Sequence, residues 1–153
     1  MASCLLYSIV TGADVALSAA TAKTVLSAIA AAGRIVELTE VGIGFDGTTT
    51  TNEAVLVELC KSTQATAGTS TSVTPVQIAG PAVTAAFTAA KNYSAEPTVL
   101  TAIQEWLIEP KSGQLIEQLP LGEQIVSDVA DALCLRVTAA NTVNCRAYLK
   151  CRE

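Results

Sequence analysis

From residue 143 to residue 151 apolar and polar side chains alternate without a break. Val143, Cys145, Ala147, Leu149 and Cys151 stand between Asn144, Arg146, Tyr148 and Lys150. A period of two puts every second side chain on one face of an extended chain, so this segment reads as a half-buried β-strand. A helix would scatter the same residues around its axis. The alternation also places Cys145 and Cys151 on the core face, where a thiol behaves as a small hydrophobe.

Most of the remaining chain carries strand signals. Residues 4–10 and 35–45 are apolar and rich in β-branched side chains, with Gly42 and Gly44 allowing a bulge or the close approach of another backbone. In residues 53–63 Val55, Val57 and Leu59 alternate with Glu58 and Cys60. Further strands are expected at 73–78, 98–108, 114–119, 124–127 and 132–138. Short runs parted by turn residues favour an all-β, single-domain sandwich over residues 1–153, the jelly roll of about eight strands being its commonest form.

Two segments depart from that pattern. Residues 21–31 place Val25, Leu26 and Ile29 at helical spacing, with Thr21 as a cap and Gly33 as a stop, which predicts a short helix. Residues 81–92 are Ala-rich, with Pro81 near a helix start and Val83, Phe87 and Ala90 on one side, which predicts a second helical excursion. Residues 62–74, built from Thr, Ser, Ala and Gly, read as a surface loop or as an arm that orders against a neighbouring subunit. Residues 1–20 read as an N-terminal strand and arm, since residues 4–10 lack the cationic start of a secretory signal.

Composition bears on partners. Of 153 residues 50% are hydrophobic and only 15% charged, against about 25% charged in an average domain, so even exposed faces must use Thr, Ser, Ala and apolar side chains. Such a surface suits contact with other protein, and a permanent oligomer or larger assembly is expected. The longest apolar region, residues 25–38, is broken by Gly33 and Arg34 and falls short of a membrane span. A net charge of -5 with scattered Lys and Arg offers no footprint for nucleic acid or anionic membrane.

Catalytic and metal chemistry find few residues to use. The chain has no histidine, so Ser and Cys nucleophiles lack their usual general base, and no nucleophile elbow, phosphate loop or zinc-protease helix is present. Cys4, Cys60, Cys134, Cys145 and Cys151 form no CxxC pair; they read as core thiols of a protein folded in a reducing cytoplasm. Carboxylates gather at Glu37, Glu40, Asp46, Glu53 and Glu58, but on alternating strands most are expected to face solvent. Asp46, Asn52 and Glu53 lack the alternating acids of a calcium loop. No enzyme activity, cofactor or metal is expected.

The runs ELTEVGIGFDG (37–47), VELC (57–60), GTSTSVTP (68–75), AEPT (95–98), EWLIEPKSG (105–113) and PLGE (120–123) resemble, in this order, the capsid decoration or cement proteins of tailed bacteriophages. The resemblance implies a single jelly-roll domain, a homotrimer on the outer face of the virion shell, and contact with several copies of the major capsid protein and with neighbouring trimers. Synthesis in the bacterial cytoplasm goes with it. The five cysteines and the long Thr-rich loop depart from the group. Trp106 reads first as a core ring and second as an interface anchor. It is grouped with the turn Pro110, Lys111 and Ser112 as candidate partner contacts. The competing expectation is a virion-surface binding module, a head-fibre or carbohydrate-binding jelly roll with a solvent-facing pocket.

Overall fold

A computed structural model describes residues 5–46, 53–111 and 113–153. In chain order its strands are β1 (Leu6–Val10), β2 (Val15–Leu17), β3 (Ala22–Ile29), β4 (Glu37–Asp46), β5 (Val55–Ser62), β6 (Thr69–Val73) and β7 (Val76–Ala79). There follow β8 (Thr88–Ala95), β9 (Leu100–Ile108), β10 (Gln114–Gln118), β11 (Ile125–Val126), β12 (Ala132–Thr138) and β13 (Val143–Arg152). They form two packed antiparallel sheets, the all-β sandwich expected from the sequence. The first sheet runs β10-β4-β13-β1-β7, with β11 also on β4 and β2 also on β13; the second runs β6-β8-β3-β12-β5-β9.

No two strands consecutive in sequence pair with each other among the described residues. The chain instead crosses repeatedly between sheets, so almost every contact closes a long loop and folding is expected to be slow for this size. Between the sheets lie Ile9, Leu38, Ile43 and Leu149 from one side and Leu26, Val57, Leu59, Leu133 and Leu135 from the other. Each such fully buried side chain contributes about 1.5–3 kcal/mol relative to exposure. Cys145 and Cys151 are buried in this core as free thiols, as the alternation in residues 143–151 requires. Burial pushes both up to about 12.

Neither expected helix forms. Residues 22–29 are strand β3, and residues 80–87 are an irregular segment leading into β8. In β3 the buried run from Thr24 to Ala28 has no alternation, because both faces of this interior strand are covered and a register shift opposite Leu135 and Arg136 brings Val25 in as well. A continuous apolar strand cannot be told from a buried helix by periodicity. Phe87 packs edge-on to Tyr7 with ring centroids 5.6 Å apart, and Tyr7 Oη donates to Val83 O at 3.0 Å. These contacts fix the 80–87 segment without helical bonds. Residues 62–74 are not a plain loop either: 69–73 form β6, an edge strand on β8.

Candidate functional site

The outer face of the first sheet is built from rows of cross-strand neighbours. One row holds Ile116, Gly42, Tyr148 and Val10; the next holds Gln114, Gly44 and Arg146. With no side chain at Gly42 and Gly44, these rows enclose an open trough of about 320 Å³. It continues past Gly44 toward Asp46 and Gly113. Tyr148 reaches across from β13 so far that a β-carbon on Gly42 would stand 2.1 Å from its Cε1. At Gly44 a β-carbon would meet nothing within 4 Å among the described residues.

The Tyr148 ring is pinned at its far end. Its hydroxyl donates to Glu40 Oε1 at 2.6 Å, and Lys150 Nζ donates to both Glu40 oxygens at 2.8 Å. The Lys150 hydrogen bond, then that of Tyr148, lowers the Glu40 carboxyl below its ordinary value. Burial and the neighbouring carboxylate push Tyr148 up to about 12. Because the folded Glu40 value is depressed, its contribution is complete above the unfolded value, about 4.3, and is lost as pH falls through the folded one. Acid titration is therefore expected to release the Tyr148 ring, seen as a change in tyrosine near-UV dichroism below about pH 4. Glu40→Gln should abolish that acid step and cost roughly 1 kcal/mol at neutral pH, solvent at Lys150 screening the pair.

The second sheet carries its own outer layer. Glu58 on β5 takes a bidentate pair from Arg136 on β12, Oε2 from Nε at 2.9 Å and Oε1 from Nη2 at 2.8 Å. Glu40 and Glu58 are exceptions to the expectation that most acids of this region face solvent: both are buried because each has a cation beside it. Glu53, by contrast, is exposed and accepts from Asn141 Nδ2 at 3.1 Å; Asn52 lies outside the described residues. Above the sheet, Glu96 accepts from Thr24 N and Oγ1 at 2.7 and 2.5 Å on β3, and Thr98 O accepts from Ser62 Oγ at 3.2 Å on β5. Residues 96–98 therefore arch over β12, which lies between β3 and β5. Under the arch Cys60 and Cys134 sit directly opposite each other, fully buried free thiols pushed by burial up to about 11 and 12. Thr66 ties the 63–68 segment to Thr98, its N donating to Oγ1 at 2.8 Å.

Strand β9 ends the second sheet, paired only with β5. Trp106 faces inward opposite Val57 and packs half-buried against the core, the first of its two expected roles. Pro110 is buried in the turn closed by Gly113 N to Glu109 O at 2.9 Å, and Lys111 is exposed; Ser112 lies outside the described residues. Of the described candidates only Lys111 offers its side chain freely to a partner. The exposed apolar positions are Leu107, 74% exposed, and Ile103, 42% exposed at a bulge opposite Leu59 and Cys60. The sequence of 100–108 carries no apolar–polar alternation that could have singled them out, since Trp106, Leu107 and Ile108 are all apolar. β9 and the neighbouring edge strand β10 are joined by Gln104 Nε2 donating to Glu117 Oε1 at 2.7 Å, so the free edges of both sheets share one flank. No family model, curated protein or solved structure matches this chain.

Proposed function

We propose that the chain is a capsid decoration protein, a jelly-roll-type sandwich that binds the outer face of an assembled phage head as a trimer and bridges copies of the major capsid protein. The observation that carries this reading is the flank of β9 and β10. A nine-residue edge strand with Ile103 and Leu107 exposed is a surface that a solitary protein normally blunts with charge, and Glu105 is the one charged residue along it. The sequence resemblance to cement proteins adds the partner. A net charge of -5 suits the outside of a shell, away from packed DNA.

Binding stabilises a shell only if it is tighter on the assembled lattice than on free subunits. Heads made without this chain are expected to package DNA and to release it at lower temperature, and adding the purified chain back should restore the melting without any cofactor. The paired variant Ile103→Glu and Leu107→Glu should fold normally and fail to restore it. Equal melting of bare and decorated heads, or labelling of the chain only inside the head, defeats the proposal.

A further inference from the structure

We infer that the trough over Gly44 is a subsite for one sugar ring of a neutral glycan. A glycine inside a paired strand weakens it, and it is retained where a turn, a neighbour or an approaching group requires it. Gly42 has such a neighbour in Tyr148. Among the described residues Gly44 has none: its φ is not positive, no described atom stands within 4 Å of where its β-carbon would be, and β10 and β13 pair on either side. The described residues therefore give no internal reason for this glycine, and they leave the space above it open.

The walls say what would fit there. Beside Gly44 stand the Gln114 amide and the Arg146 guanidinium; one row further stand Ile116, the Tyr148 ring and Val10. A hydrogen-bonding row next to an apolar and aromatic row matches a pyranose, which has a hydroxyl rim and a C–H face. Asp14 Oδ1 accepts from Arg146 Nε at 2.5 Å and fixes the guanidinium while leaving its terminal nitrogens to donate. The cations of these rows already have carboxylates, Arg146 with Asp14 and Lys150 with Glu40, and Lys91 near Gly12 donates to Thr11 O, so the rows themselves carry no excess charge with which to hold an anion. The pinned Tyr148 hydroxyl keeps the ring in place before a ligand arrives.

The site is independent of any capsid, so the isolated full chain is the material for the test. Amide NMR spectra would be recorded during titration with lactose, maltose, cellobiose and N,N′-diacetylchitobiose. At least one sugar is expected to shift the Gly44, Gln114 and Arg146 signals along a saturable curve. Gly44→Val should remove those shifts while moving the thermal midpoint by no more than about 2 °C, because the added side chain meets open space and valine suits a strand. Arg146→Gln should weaken binding about tenfold. Absence of saturable shifts at these amides with all four sugars overturns the inference, as does unchanged affinity in Gly44→Val. Shifts of the same amides with protein concentration alone would assign the trough to a second copy and overturn it too.

Discussion

Replacing Gly68 with alanine is expected to cost about 3 kcal/mol, the sum of backbone strain and a clash that no side-chain rotation relieves. Gly68 has φ of +74°, and a β-carbon there would lie 2.4 Å from Ala95 O and 2.8 Å from Pro97 N. Both are main-chain atoms of the segment that leads into the arch at residues 96–98, so the arch must lift. Its anchors, Glu96 on Thr24 and Thr98 on Ser62, would then lengthen or break. For a chain of this length the thermal midpoint should fall by about 10 °C. Lifting the arch also uncovers Cys60 and Cys134, whose alkylation in the native protein should quicken by roughly 100-fold as the local opening energy drops. Cys145 and Cys151 lie between the sheets and should stay unreactive. An unchanged midpoint with Cys60 and Cys134 still protected would show that the arch is not their cover.

Arg136→Met should be comparably damaging, by about 3 kcal/mol at neutral pH, because it strands a buried carboxylate. Glu58 has a side chain only 8% exposed, and Glu105 stands directly across from it on β9. Without the guanidinium two carboxylates face each other with no cation between them. Methionine matches the arginine stem in bulk, so lost packing contributes little. Adding Glu58→Leu to Arg136→Met should recover most of the loss, since an apolar pair of similar volume replaces a bidentate one at little net cost. Urea denaturation of the two single variants and the double variant measures the coupling directly. Additive losses would mean that the pair contributes nothing beyond the separate packing of its members.

The strands that face the core on one side only were legible in the sequence. Residues 143–151 show the period of two because one face meets the other sheet and the other carries Asn144, Arg146, Tyr148 and Lys150, at least partly open to water. Where that asymmetry fails, so does the reading. β3 is covered on its outer face by the arch and by Tyr93, whose hydroxyl meets Ser27 Oγ at 2.7 Å, so its apolar run lost the alternation and mimicked a helix. β8 did the same with Ala89 and Ala90, both buried on opposite faces of an inner strand.

The candidate surfaces divide along the same line. The low charge fraction, the lack of histidine and the two glycines of β4 are properties of the chain, and they set what chemistry its surface can offer. Which residues meet is a matter of register. Ile116, Gly42, Tyr148 and Val10 are far apart in sequence and become one row only because β10, β4, β13 and β1 pair in that order, with no hairpin to announce any of it. Local periodicity determines which face of a strand is apolar, since it depends on residues two apart. The partner of each strand is chosen by the closing of both sheets together, a sum of long-range contacts that no single segment encodes.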